Sequence, residues 1–339
     1  MATMRAARLD VRTRTLEVKD VPRPVPGRGQ VLVRVRAAGV CLSDVHLIDG
    51  TLRPLYLEGD EVTLGHEVSG VVEELGPDVV GTAVGDRVAL QAGQVDRAGR
   101  TLTRGVDYDG GWAEYALADQ ETLVPLPDDL PFDQAAIIPD AVSTPWAAVT
   151  STADVGPAEA VGVWGAGGLG AHAVTLLRLV GAAPVIAADP DPRARERALA
   201  FGADAALDPT APGFLAEVGE LTGGRGLDAA FDFAGVPVVR EQALRLLGEH
   251  GRLVLVGLTD KPLEIRDGTR FSYLKQQVLG HYGSEPEHVV ELVELVGAGR
   301  LDFAASISGT FSLEEAPEAV AQLEKRIGSP VRLVLEPRV

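Results

Sequence analysis

The run Gly39-Val40-Cys41-Leu42-Ser43-Asp44-Val45-His46 gathers a thiol, a hydroxyl, a carboxylate and an imidazole, and Gly65-His66-Glu67 adds a second imidazole and carboxylate soon after. Cys41 is the only cysteine in the 339 residues. It has no internal disulfide partner, so it is a buried apolar filler, a nucleophile or a metal ligand. Cys41 and His66 with one further carboxylate would form a three-ligand zinc site with an open fourth position, the arrangement of catalytic rather than structural zinc. The best candidate for the third ligand is Asp140, in Ala136-Ile137-Ile138-Pro139-Asp140; its plainer alternative is a turn or a helix cap.

A second chemistry sits further along. The apolar run Val161-Gly162-Val163-Trp164 leads straight into Gly165-Ala166-Gly167-Gly168-Leu169-Gly170, a GxGxxG pattern at the opening of a helix. Glycine there permits a tight turn, close backbone approach to a pyrophosphate and close helix packing, and the helix N-terminus supplies amide donors. A second strand, Pro184 to Ala188, ends in Asp189, where a carboxylate can accept from the adenosine ribose hydroxyls and repel a 2′-phosphate. NAD is therefore expected over NADP, although Arg193 and Arg195 keep the phosphorylated cofactor in play. The same Asp-Pro step also reads as a cap for the helix that follows.

These groups need a scaffold, and the chain is long enough to make two domains. From Met1 to about Trp146 short β-rich runs are punctuated by glycine, among them Gln30 to Ala37, Val68 to Leu75 and Arg87 to Leu90. That pattern predicts a mostly antiparallel β domain. Beyond it, strands alternate with helices: Ala160 to Trp164, a helix from Leu169 to Val180, Pro184 to Ala188, a helix from Pro192 to Phe201, then strands at Ala229 to Phe233 and Arg252 to Val256. This is the βαβ rhythm of a parallel sheet. A helix at Glu287 to Val296 and a strand near Pro330 to Leu335 close the chain.

Composition narrows the partners. With 46% hydrophobic residues, 24% charged and a mean hydropathy of +0.11, the chain is an ordinary globular one. Its 49 Asp and Glu against 31 Lys and Arg give a formal charge of -18, which would repel phosphate backbones and anionic lipid. No apolar run reaches the roughly 20 residues that span a bilayer, and Met1 to Asp10 lacks a signal-peptide pattern. Neither nucleic acid nor membrane is expected as a partner, and the expected address is the cytoplasm, where a free thiol stays reduced.

Together, Gly39 to His46, Gly65-His66-Glu67, Gly111 to Tyr115, Pro139-Asp140, Gly165 to Gly170 with Asp189, and Gly251 to Gly257 resemble the zinc-dependent alcohol dehydrogenase branch of the medium-chain dehydrogenase/reductase family, over nearly the whole length. The resemblance implies a Rossmann domain at 149–284, a doubly wound parallel sheet, inserted in a mostly antiparallel GroES-like catalytic domain at 1–148 and 285–339. It implies one catalytic zinc on Cys41, His66 and Asp140, the aspartate variant found in bacterial secondary-alcohol dehydrogenases. Ser43 and His46 take the positions of the proton relay, Asp44 that of the carboxylate orienting the ligand histidine, and Glu67 that of a supporting group or a transient ligand, its plainer alternative being a partly buried salt-bridge partner. Gly257 joins Gly165, Gly167, Gly168, Leu169, Gly170, Asp189 and Arg193 as cofactor-binding.

The implied reaction is hydride transfer between NAD(H) and a small secondary alcohol or polyol, with zinc lowering the pKa of the bound hydroxyl. Many relatives carry four cysteines for a structural zinc. The corresponding stretch, Gln91 to Asp109, has none, so that metal is not expected. Tyr56, Trp112 and Trp146 flank the motifs and are candidate pocket walls. The family also implies a homodimer or homotetramer. Two alternatives are a zinc-free quinone or enoyl reductase, which would need neither Cys41 nor His66, and an NAD(H)-binding redox sensor without turnover.

Overall fold

A computed structural model describes residues 2–337. The chain divides into two compact units, Met1–Ala141 with Glu285–Val339 and Val142–Ser284. The expected first boundary, after residue 148, falls inside the second unit. The reason is local: from Phe132 to Thr152 the chain is a continuous series of helical turns, so no loop or change of composition marks the crossing.

In the first unit the long strand Gln30–Val40 is the organising element. It pairs antiparallel with Val68–Leu75, Tyr115–Asp119 and, through Leu333↔Val40 and Leu335↔Ala38, with the C-terminal strand Arg332–Glu336. That last strand lies parallel to Ile307–Ser312, so the end of the chain completes the sheet begun near its start. Thr3–Asp10 heads a second, three-stranded sheet with Thr15–Pro22 and Glu61–Thr63. Val31, Val33, Val35, Val68, Val72, Leu333 and Leu335 are fully buried in the core between these elements. Each such side chain contributes about 1.5–3 kcal/mol.

Directly after Val40 the chain turns into the helix Leu42–Asp49, with Cys41 as its N-cap residue, and the helix ends at Gly50 with φ 81°. The extended backbone of Cys41 (φ -111°, ψ 158°) places the thiol where a sheet stops and a helix begins. The lobe at Gln91 to Asp109 forms a small hairpin of Gly93–Val95 with Thr101–Thr103.

The second unit is a six-stranded parallel sheet. In spatial order its strands are Ala205–Leu207, Val185–Ala188, Val161–Trp164, Leu227–Asp232, Leu247–Leu255 and Gln277–Gly280. Val161–Trp164 is buried at every residue, as a central strand covered on both faces requires. The order reverses between Val161–Trp164 and Leu227–Asp232, the switch point over which such sheets open a crevice. The fold is thus the expected one, a parallel Rossmann sheet and an antiparallel GroES-like sheet. Among the described residues no helix is long and apolar enough to cross a membrane.

Candidate metal centre and cofactor loop

Cys41, His66, Glu67 and Asp140 each offer a donor atom, and these atoms lie within 4.8 Å of one another. Cys41 comes from the strand-to-helix turn and His66 from the bend just before the strand Val68–Leu75. Asp140 comes from a widened helical turn, Ile138–Val142. Pro139 has no amide hydrogen for a regular turn, and such wide turns recur at functional sites. Asp140 Oδ2 is 3.4 Å from Cys41 Sγ and 3.4 Å from His66 Nε2. Donors around a tetrahedral zinc stand about 3.4–3.6 Å apart, from ligand bond lengths of 2.0–2.3 Å. The three groups fit that ion.

Electrostatics agree. Cys41, His66 and Glu67 are buried. Burial works against a charged His66, yet Asp44 and Asp140 outweigh it and hold its pKa well above the ordinary value. The carboxylates attract a cation, and without a metal the proton on His66 serves as one. Asp44 is itself pushed up by burial, with His66 pulling the other way. Its Oδ2 accepts from Cys41 N at 2.8 Å, and its Oδ1 stands 3.7 Å from His66 Nδ1. One carboxylate thereby steadies both the thiol-bearing turn and the far side of the imidazole.

Glu67 is fully buried and pushed up to about 8, first by burial, against the pull of Arg332. Arg332 Nη2 is 3.2 Å from Glu67 Oε1, an ion pair without hydrogen-bond alignment, and Arg332 Nη1 donates to Val40 O at 3.2 Å. A Cβ on Gly39 would stand 1.8 Å from Glu67 Oε2, so glycine at 39 makes the room Glu67 occupies. Sequence reasoning missed Arg332. Its signal was one arginine in Val331-Arg332-Leu333-Val334-Leu335, a charge inside an apolar strand that demands a buried partner.

Ser43 and His46 stand three apart on the helix Leu42–Asp49, where side chains are neighbours; both are partly exposed, and Ser43 Oγ is 3.7 Å from Cys41 Sγ. The aromatic candidates separate. Trp112 is fully buried, its Nε1–H donates to Gly39 O at 2.9 Å, and a Cβ on Gly65 would meet its Cδ1 at 2.2 Å. It is part of the frame behind both ligand loops rather than an open wall, because its ring and its donor are already used. Tyr56 is 38% exposed, with the Arg100 guanidinium 5.0 Å from its ring centre. Trp146 is buried in the second unit.

The glycine loop of the second unit has the geometry a pyrophosphate needs. Gly165 has φ 88° and a Cβ on Gly170 would stand 1.8 Å from Gly165 O, while nothing lies within 4 Å of a Cβ on Gly167. No side chain caps the helix Gly168–Leu179, which leaves its leading amides for an anion. Asp189 Oδ2 accepts from Ala166 N at 2.8 Å and Arg197 Nη2 donates to Ala166 O at 2.6 Å. The Ala166 peptide is therefore gripped at both ends. Neither bond was foreseen, since each joins the loop to residues beyond the next strand. Arg193 reaches Asp191 at 3.5 Å and is largely exposed. Arg195 donates to the carbonyls of Asp189 and Pro190 at 2.8 and 2.9 Å.

Known proteins match both units. The alcohol dehydrogenase GroES-like domain matches residues 27–128 and the zinc-binding dehydrogenase domain matches residues 168–298. An NAD-dependent alcohol dehydrogenase of Sulfurisphaera tokodaii is 31% identical over 97% of this chain and 99% of its own. Among solved structures, 2R,3R-butanediol dehydrogenase from Bacillus subtilis has a TM-score of 0.90 at 27% identity, covering 99% of this chain and 100% of that one. A Sinorhizobium meliloti 1021 protein bound to NADP gives 0.91 at 27%, with the same coverage. The chain belongs to the medium-chain dehydrogenase/reductase family, in its zinc-dependent alcohol dehydrogenase branch. As a member it is an oxidoreductase.

Proposed function

We propose that the chain is a zinc-dependent, NAD(H)-linked alcohol dehydrogenase that interconverts a small secondary alcohol or polyol and its carbonyl. The observation that carries this reading is the meeting of Cys41 Sγ, His66 Nε2 and Asp140 Oδ2, with Asp140 at tetrahedral-edge distance from each of the other two. Those three residues would hold one zinc ion, and the Gly165–Gly170 loop with Asp189 would hold the dinucleotide. When bound, the ion supplies Lewis acidity that brings an alcohol hydroxyl's pKa toward neutrality, and the nicotinamide supplies the hydride acceptor.

The chain's own groups do the rest. Asp44 faces His66 Nδ1 and keeps Nε2 for the ion. Ser43 Oγ accepts the hydroxyl proton as it releases its own toward His46, which passes a proton to solvent, a task suited to the one side chain that ordinarily titrates near neutrality. Glu67, paired with Arg332, is near enough to act as a transient fourth donor. Asp189 favours NAD. Arg193, exposed nearby, is the residue to test for NADP use, and the NADP-bound relative makes that test worthwhile. The butanediol-acting relative supports a diol or secondary alcohol as substrate. Assembly into a homodimer or homotetramer is the family's expectation, checked by sedimentation.

The test is zinc content per chain, then NAD reduction with secondary alcohols, diols and primary alcohols before and after chelation. Chelation should abolish turnover and added zinc restore it. Undiminished activity in metal-free protein would sink the zinc reading.

A further inference from the structure

We infer that the buried ion pair Asp232–Arg240 is a positioning device for the nucleotide crevice, setting the heights of three glycine turns on which the cofactor rests. The inference depends on the dinucleotide reading of the Gly165–Gly170 loop. Asp232 is fully buried and Arg240 nearly so. Asp232 Oδ1 accepts from Ala234 N and Gly235 N at 3.0 and 2.8 Å, and Oδ2 accepts from Arg240 Nε at 2.8 Å. Arg240 Nη2 donates to Gly257 O at 3.1 Å, and Gly257 N donates back to Asp232 O at 2.7 Å.

These contacts join the C-terminal ends of two neighbouring strands, and the third, Val161–Trp164, abuts them through Gly165 and Ala234. Asp232 ends the strand Leu227–Asp232, Gly165 follows Val161–Trp164, and Gly257 follows Leu247–Leu255. Their turns touch backbone to backbone. A Cβ on Gly257 would meet Gly235 N at 2.4 Å, one on Gly235 would meet Leu258 O at 2.6 Å, and one on Gly165 would meet Ala234 N at 3.2 Å. Backbone packing and hydrogen bonds together set their spacing, and one carboxylate with one guanidinium supplies three of those bonds and is itself held together by a fourth. In an open parallel sheet the nucleotide lies over these strand ends. Buried ion pairs are often replaceable by apolar residues without loss of stability, so stability is a weak reason for a charged pair here. Fixed geometry beneath the cofactor is a stronger one.

The test uses NADH fluorescence titration beside thermal melting in the full-length protein. Arg240→Lys keeps the buried charge but cannot fork between Asp232 and Gly257 O. It should melt near the wild type while weakening NADH about ten-fold, the worth of one good hydrogen bond. Arg240→Met, which strands a buried carboxylate, should lower Tm by roughly 10 °C. Asp232→Asn with Arg240→Met, which keeps a neutral acceptor for Ala234 N and Gly235 N, should recover most of that Tm and still bind NADH weakly, with KM for NAD rising more than kcat falls. Arg266→Met, which removes an exposed pair with Glu241, serves as the control that binds normally. Wild-type NADH affinity in Arg240→Lys and in the double variant, or affinity that simply follows Tm, overturns the positioning role. Failure of the wild type to bind NADH would instead fell the cofactor reading, and this inference with it.

Discussion

Asp140→Asn isolates what the third donor contributes, and its effect should depend on pH in a calculable way. The substitution preserves size and replaces an anionic oxygen by a neutral one, 3.4 Å from both Cys41 Sγ and His66 Nε2. Removing even a residue that merely supports a ligand typically costs 10–100-fold in metal affinity, so losing a ligand should cost at least about 100-fold. A compensation opposes this. His66 must be neutral to bind zinc, and Asp140 is one of the two carboxylates that hold its pKa high. Without Asp140 the proton leaves more easily, and each unit of lowered pKa returns ten-fold wherever the pH lies below both values.

The defect should therefore be smaller at low pH, where His66 is protonated in both proteins, and should reach its full size once His66 is neutral in both. The wild type's zinc affinity should climb with pH over a wider range than the variant's. Competition with a chromophoric zinc chelator from pH 6 to 9 measures both curves. Zinc affinity in Asp140→Asn within three-fold of wild type at pH 9 would refute the assignment. A ratio independent of pH would refute the proton competition.

In metal-free protein Asp44, His66 and Glu67 all have raised pKa values, so the folded state binds protons more tightly than the unfolded one. Stability from these groups is present below their ordinary values and is lost as pH climbs, for Glu67 from 4.5 through about 8; melting of zinc-free protein from pH 5 to 9 should show a falling Tm, which zinc flattens. Gly65→Ala forces a side chain onto φ 96° and into Trp112; conformational strain of about 1–2 kcal/mol and overpacking of about 1–3 kcal/mol should cost roughly 2–5 kcal/mol together. Chemical denaturation and zinc content should both fall. His46→Gln should slow alcohol oxidation at least ten-fold, mainly at lower pH, and an unchanged pH–rate profile would remove it from the relay.

What could be read from the sequence was local. The Gly165–Gly170 loop and Asp189 belong to one βαβ passage, so turn, helix and carboxylate follow from spacing. Cys41 and His66 flank strands of opposite direction, and their chemistry was visible because each sits beside glycine at a strand end. Asp140 was identifiable only as a carboxylate in an odd place; the widened turn at Pro139 explains the place. Arg332 and Trp112 were not legible as parts of the site, because Glu67 and Gly39 meet them only after distant strands pair. Trp112, expected as a candidate wall, lies buried with its Nε1–H bonded to Gly39 O. An aromatic beside a motif has no sidedness until the sheet supplies it.

The Gln91–Asp109 lobe holds no cysteine, and hydrogen bonds from buried and charged side chains tie it down. A structural zinc ties four chain points through one ion. Here Arg104, fully buried, donates to Gln91 O and Leu117 O at 3.3 and 2.8 Å, with the ring centre of Tyr108 5.2 Å away. Asp107 accepts from Thr103 N, Leu55 N and Tyr56 N at 2.9, 3.1 and 3.0 Å. The lobe's backbone also presses on the ligand loop, since a Cβ on Gly105 would meet Gly65 N at 2.6 Å. Charged groups bonded to backbone are worth about 1.5–3 kcal/mol each, so several together can replace a metal tie without thiols. Cys41 remains the one thiol of the chain, so the proposed zinc has no other thiolate to draw on.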